Sequence, residues 1–226
     1  MKLNNKRTIL VGLAFLSICA FWQMYDSIVP LILTKTFHMN ETFSGAIMAA
    51  DNILALFLLP FFGSVSDKSH SKLGKRMPFI LFGTGCAIIL MNSLPLLDNS
   101  YAAQPSGFKT ASFVIVLGLL LVAMGTYRAP AVALMPDVTP KPLRSRANAI
   151  INLMGAVGGI LYLGVAAVLY PNSKTAGLDH VNYQPLFIVV SAIMFVAVAV
   201  LFLTIREPKL TAENQALEKQ HPEWNL

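Results

Sequence analysis

Charge is what this sequence has least of. Only 12% of its 226 residues are Asp, Glu, Lys or Arg, where a soluble chain carries about a quarter. The shortage falls in long blocks, and hydrophobic residues reach 55% with a mean hydropathy of +0.63. A soluble fold of this length and a disordered chain are excluded together. Cysteine is nearly absent: Cys19 and Cys86 each lie inside an apolar run, which excludes an extracellular disulfide scaffold. Histidine is missing from the apolar runs, since His38, His70, His180 and His221 fall in connections or in the tail. Haem proteins and serine or metal intramembrane proteases, which need a histidine within a span, are excluded with it. The net charge of +6 suggests nucleic acid at first sight, but the basic residues sit in short clusters between apolar runs. That is how a membrane protein marks its cytoplasmic side.

What is present is a series of apolar runs. A spanning helix needs about 20 mostly apolar residues, and six stretches supply them: Ile9–Leu33, Ser44–Val65, Pro78–Leu97, Ser112–Leu134, Ala147–Tyr170 and Pro185–Ile205. The class is therefore an all-α polytopic membrane protein with six transmembrane helices over residues 1–205 and a tail over 206–226. The first run follows Lys2, Lys6 and Arg7 as a signal peptide would. It is too long for a signal and no small-residue cleavage site follows, so it reads as a retained helix. Basic residues cluster at the amino terminus, in the second connection (Lys68, Lys72, Lys75, Arg76), in the fourth (Lys141, Arg144, Arg146) and in the tail (Arg206, Lys209, Lys219). The alternate connections hold only Lys35, Lys109 and Lys174, so both termini are expected to be cytoplasmic. The tail reads as a solvated, weakly helical end. Asn40-Glu41-Thr42 matches a glycosylation sequon, too short a match to carry a role.

Ionisable groups in hydrocarbon are costly and mark function by default. Three stand out: Asp26 in span one, Asp51 in span two and Arg128 in span four. Trp22, Gln23 and Tyr25 surround the first acid, Asn52 follows the second, and Tyr127 precedes the arginine. Span five carries Asn148, Asn152, Gly155, Gly159, Tyr162 and Ala166 along one face. The two glycines there are better read as packing residues. Spans one to three read polar, polar, apolar, and spans four to six repeat the order. Such a repeat with opposite topology builds one class of secondary transporters. Spans one, two, four and five would line a wet path, with three and six toward lipid.

Asp26 lies eight residues before Thr34 and Asp51 eight after Phe43, which puts both about 12 Å from the outer face. Arg128 lies nine residues before Asp137, about 13 Å from the cytoplasmic end and about 10 Å below the acids. A direct salt bridge and a wet cavity with opposite charges on its walls both fit these depths. A poorly hydrated aspartate holds a proton more readily, a nearby arginine less so. A substrate hydroxyl bonded to either group would couple its own binding to protonation. Trp22 and the tyrosines offer flat faces on which sugar rings stack.

The loop after span two is specific. It reads Gly63-Ser64-Val65-Ser66-Asp67-Lys68, then Gly74-Lys75-Arg76-Met77-Pro78-Phe79. This resembles the signature loop of the major facilitator superfamily. With Pro60 ahead of Gly63 it is similar to sucrose–proton symporters and to the glycoside–pentoside–hexuronide cation symporter group. Pro130 through Asp137, followed by Arg144, Arg146, Ala147 and Asn148, resembles the same group, as does Asp51-Asn52 followed by Ala55-Leu56-Phe57.

The resemblance implies a proton-coupled symporter half for a sugar or glycoside, working by alternating access in the cell membrane, and not an enzyme. Asp26, Asp51 and Arg128 would couple protons. Trp22, Gln23, Asn52, Tyr127, Asn148 and Asn152 are candidate substrate contacts. Gly63, Asp67, Lys68, Gly74, Lys75, Arg76, Arg144 and Arg146 would form a cytoplasmic latch, in which Gly63 permits close helix approach and Asp67 pairs with Arg144 or Arg146. Melibiose-type relatives couple sodium through two span-two aspartates. Ala55 and Leu59 take those places here, and Arg128 stands where such relatives have an aspartate. Both departures favour the proton as coupling ion, with no metal and no other cofactor. Family members have two six-helix halves, so the chain is expected to be a fragment, a split subunit or a dimerising half that needs a second half beside it. Its other partners would be the lipid bilayer and the sugar, not nucleic acid. Two rivals remain: an intramembrane aspartyl protease, for which Ala49-Ala50 before Asp51 lacks the required glycines, and a non-transporting six-helix scaffold.

Overall fold

The computed structural model describes residues 3–225; Lys2, counted above among the basic residues, lies outside them. Among the described residues, six helices are long and apolar enough to cross a membrane. Helix α1 runs Asn5–Leu31 and loosens into a π-helical turn over Ile32–Thr36. Next come α2 (Glu41–Asp67), α3 (Met77–Ala103), α4 (Gly107–Asp137) and α5 (Arg144–Leu169). A single turn, α6 (Asn172–Thr175), leads to α7 (Gln184–Thr204) and α8 (Glu207–Gln220). The helix ends have local causes. The Asn4 side chain accepts from the Arg7 amide at 3.0 Å, and Asn40 accepts from the Thr42 amide at 2.9 Å. The sequon asparagine is thus the N-cap of α2. Pro78, Pro185 and Pro208 stand in the first turns of α3, α7 and α8, where a missing N–H costs nothing. Inside α1, Pro30 leaves the Asp26 carbonyl without its helical donor, just before the π turn.

The helices pack with an exchange symmetry. Helix α1 packs on α5 and α7, α4 packs on α2 and α3, and α3 meets α7. Swapping spans one, two and three for four, five and six converts each pairing into another member of the same set. This is the three-plus-three repeat expected from the polar, polar, apolar order. The tightest seam joins α1 to α5. A Cβ on Gly158 would stand 2.0 Å from the Leu16 carbonyl oxygen, and one on Gly155 2.8 Å from Cys19 Sγ. Close backbone approach is what small residues do between spanning helices. Gly159, grouped with Gly155 from the sequence, is looser, with Gln23 Oε1 at 3.8 Å.

Burial divides the spans unevenly. Of the most apolar 18-residue window, 61% is buried in α1 and none in α2. Helix α2 leans on α4 and turns Ile53, Leu56, Phe57 and Phe61 outward. Helices α3 and α7 present Phe82, Ile89, Phe195 and Leu203 outward while Met91, Leu94, Val190 and Met194 enter the core.

One expectation is corrected outright. The tail is not a solvated, weakly helical end, because Glu207–Gln220 forms α8 with Glu207 and Asn214 buried. It is held by side-chain anchors. Asn214 donates to the Asp137 carbonyl at 3.1 Å, and Arg144 pairs with Glu218 at 2.8 Å.

Candidate functional site

The mid-bundle charges come together in part. Asp51 from α2, Trp22 from α1 and Arg128 from α4 line one cleft with Leu54, Leu58 and Gly125. Its volume is about 20 Å³, room for about one water and not for a sugar ring. The Arg128 guanidinium carbon stands 5.6 Å from the centroid of the Trp22 ring, a cation–π arrangement. Among the described residues no ion pair joins Arg128 to Asp26 or Asp51, so of the two arrangements open from the sequence the direct bridge is absent. Asp26 follows Trp22 by one turn, is exposed, and lies within electrostatic reach of Asp51. The Asp51 carboxylate accepts from Asn52 Nδ2 at 2.8 Å.

Polar atoms beside the cleft are left over. Trp22 Nε1 and the Tyr25 hydroxyl are buried with no hydrogen-bond partner among the described residues. Orphaned donors are costly, and their usual explanation is a ligand or water. Gln23 is half-buried near this seam, its carbonyl accepting from Ser27.

Three candidate contacts fall elsewhere. Tyr127 is fully buried; its hydroxyl donates to the Ala14 carbonyl at 3.0 Å and meets Ser17 Oγ at 2.5 Å. It ties α4 to α1 and does not line the cleft. Asn148 and Asn152 are exposed early in α5, also outside the cleft lining.

At the end of the bundle where α1 begins and α7 ends, the loop motif folds into a dense network. Arg76 is buried and pairs with Asp67 and, at 2.9 Å, with Asp137. It also donates to Ser66 Oγ at 2.5 Å and the Gly63 carbonyl at 3.3 Å. Glu207 accepts from the amides of Lys75 (2.7 Å), Arg76 (2.9 Å) and Met77 (2.8 Å), the opening of α3. A carboxylate on a helix N-terminus answers its unpaired donors and its dipole. Gly74 has φ +111°, and a Cβ there would meet the Glu207 carboxyl at 2.3 Å, so glycine is required twice over.

The expected pairing of Asp67 with Arg144 or Arg146 is corrected: Asp67 pairs with Arg76, and Arg144 takes Glu218. Nine residues separate Asp67 from Arg76, so the tight loop brings the guanidinium back first. Arg146 is exposed and joins no ion pair among the described residues, and Lys68 is likewise exposed outside the network. Nor does Gly63 serve close helix approach within this chain, since nothing stands within 4 Å of a Cβ placed on it. Asp137 and Glu207 were missed because their partners lie 61 and 131 residues away along the chain.

The opposite end holds a cluster with no forecast in the sequence. Asp98 follows the apolar run that ends at Leu97, but α3 continues to Ala103 and buries it completely. Neither carboxylate oxygen has a hydrogen-bond partner among the described residues, and His180 Nδ1 lies 3.8 Å away. His180 Nε2 meets Asn99 Oδ1 at 2.9 Å, and its Nδ1 lies 3.3 Å from the Thr36 hydroxyl. Asn99 in turn donates to Asn182 at 2.9 Å, and the Tyr170 hydroxyl donates to the Asn182 carbonyl at 2.7 Å.

Comparison with known proteins agrees with this architecture. A family model described as Major Facilitator Superfamily matches residues 11–225. A sucrose transport protein of Arabidopsis thaliana is 34% identical over 158 residues, covering 65% of this chain and 26% of the relative. One from Oryza sativa subsp. indica is 36% identical over 154 residues, 62% of this chain and 30% of the relative. Solute carrier family 45 member 3 of Homo sapiens is 25% identical over 186 residues, 80% of this chain and 34% of the relative. The chain thus spans about a quarter to a third of the length of these relatives. With the matching model, the exchange-symmetric packing and the loop network centred on Arg76 all in agreement, the chain belongs to the Major Facilitator Superfamily.

Proposed function

We propose that this chain is one half of a proton-coupled sugar or glycoside symporter, working by alternating access in the cell membrane with its termini cytoplasmic. The observation that carries the reading is the unsatisfied polarity on the open side of the bundle. Trp22 Nε1 and the Tyr25 hydroxyl lack partners among the described residues beside the cleft that Trp22, Asp51 and Arg128 line, and Asp26 stands one turn along α1 from Trp22. Buried or intramembrane polar groups without partners are expensive unless something transient satisfies them. A polyhydroxylated solute brings the matching donors and acceptors, and Trp22 brings a face for its ring.

A cleft of about 20 Å³ cannot enclose a sugar, so the site is one wall of a chamber. A second six-helix half, from a separate subunit, a second copy or further chain, would supply the other wall and cover Ile53, Leu56 and Phe57. Protons are favoured over sodium because Ala55 and Leu59, both in the cleft wall, offer no oxygen ligand. The similarity to sucrose transport proteins points to the same class of solute.

Uptake tests this reading. Cells without a sucrose carrier of their own would express the chain alone and together with a candidate second half, and acid-stimulated uptake of labelled sucrose would be measured. Asp51→Asn and Asp26→Asn are expected to flatten the pH dependence of uptake. Unchanged profiles in both variants would end the proton-coupling assignment. Normal uptake with Arg128→Ala would favour the scaffold reading.

A further inference from the structure

Two hollows lie along α1, one against the start of α8 and one against α7. At the end where α1 begins and α7 ends, Lys6 and Arg7 of α1 line a groove of about 380 Å³ together with Arg206 and Lys209, with Glu213 the one acid in its lining. Leu10, Ile205 and Leu210 give this groove an apolar floor. Farther along α1, on its side toward α7, a furrow of about 450 Å³ is lined by apolar side chains alone, among them Leu13 and Leu16 of α1 and Ala192, Ile193, Val196 and Ala197 of α7. Leu13 and Leu16 stand about 10 and 15 Å along α1 from Lys6. One leaflet of a bilayer is about 15 Å of hydrocarbon deep.

Four cations in one groove repel one another, and their setting makes this worse. Lys6 and Arg7 occupy the first turn of α1, while Arg206 caps α8 and Lys209 lies in its first turn. These are the positive ends of two helices, where cations are unfavourable. The acid that would normally offset α8, Glu207, is turned away to the opening of α3. Lys209 has Glu213 at 3.9 Å, a solvent-exposed contact worth little. Lys6, Arg7 and Arg206 join no ion pair among the described residues.

We infer that the seam between α1 and α7 is a binding site for one anionic phospholipid, its headgroup phosphate among Lys6, Arg7, Arg206 and Lys209 and an acyl chain in the furrow beyond. The charge complementarity selects an anion, and the wholly apolar furrow farther along α1 selects a lipid over a free phosphate. The start of α1 and the end of α7 place the basic groove at a bilayer surface whichever way the protein is oriented. An occupied headgroup site would hold α8 against the bundle, and with it Glu207 on α3.

Native mass spectrometry and thermal unfolding of the purified full chain test this. The probes are phosphatidylglycerol and phosphatidylcholine of matched acyl chains, and inorganic phosphate alone. Each basic residue near an anionic lipid surface contributes about a fivefold gain in binding. Phosphatidylglycerol should therefore be retained at least about tenfold over phosphatidylcholine and raise the unfolding temperature. The double variant Lys6→Gln with Arg206→Gln should remove most of that preference while unfolding normally in phosphatidylcholine. Lys72→Gln with Lys219→Gln removes the same charge from exposed positions outside the groove and should leave the preference intact. Equal retention of the two lipids overturns the site, as does equal loss in both double variants. A matching thermal shift with inorganic phosphate overturns the lipid assignment. Should Lys6→Gln with Arg206→Gln unfold on its own, Glu213→Gln decides: removing the only carboxylate must strengthen phosphatidylglycerol retention, and unchanged or weaker retention rejects the proposal.

Discussion

The end of the bundle around Arg76 and the cleft around Arg128 both set an arginine among helices that carry aspartates, and they differ in almost everything else. Arg76 is buried, pairs with Asp67 and Asp137, and spends further donors on Ser66 and Gly63. Arg128 has a tryptophan face for company and no carboxylate in contact, while Trp22 Nε1 beside it has no partner. A satisfied buried network fixes one arrangement of the helices that contribute to it. An unsatisfied one stores affinity for whatever arrives. The contrast separates a part that holds shape from a part that binds, within one half and with the same residue types.

The largest effect should come from breaking the satisfied end. Glu207→Ala strips the acceptor from three amides at the start of α3 and undocks α8. A loss of about 3 kcal/mol or more is expected, read by chemical unfolding in detergent. The cluster opposite gives an intermediate case. His180→Ala removes the nitrogen beside the buried Asp98 carboxylate and frees Asn99, with an expected cost of about 1–3 kcal/mol. The same measurement on Asp98→Asn should show little change or a gain, because a buried carboxylate without hydrogen bonds costs more than it returns. The smallest effect belongs to the cleft: Asp51→Asn should stay within about 0.5 kcal/mol of the parent in thermal unfolding. A large destabilisation there would mean that the cleft holds shape after all, and the distinction between the two regions would fail.

The resemblance of the Gly63–Phe79 loop led to the residues of the network but not to its wiring. Asp67 and Arg76 are nine residues apart and meet through a loop turned at Gly74, a local geometry that spacing alone does not reveal. Glu207 reads as an ordinary acid in a polar tail. Its role exists only because α7 returns the chain beneath α3. Tyr127 shows the reverse failure. Adjacent to Arg128 in sequence, it points about a hundred degrees around the helix, into α1 instead of the cleft. Asp98 looks external because apolarity ends at Leu97, yet α3 extends past the apolar run and His180, from the connection that leads into α7, lies beside it.

By itself the amino-acid sequence determined the class, the number of spans, the repeat and the positions of the rare charges. These follow from the cost of polar groups in hydrocarbon, a penalty that acts residue by residue and is visible as composition. Tertiary structure alone decided which charges are quenched and which are left waiting. Partnership depends on helix rotation and on contacts between segments as far apart as Lys75 and Glu207, separated by 132 residues. No local pattern encodes such meetings.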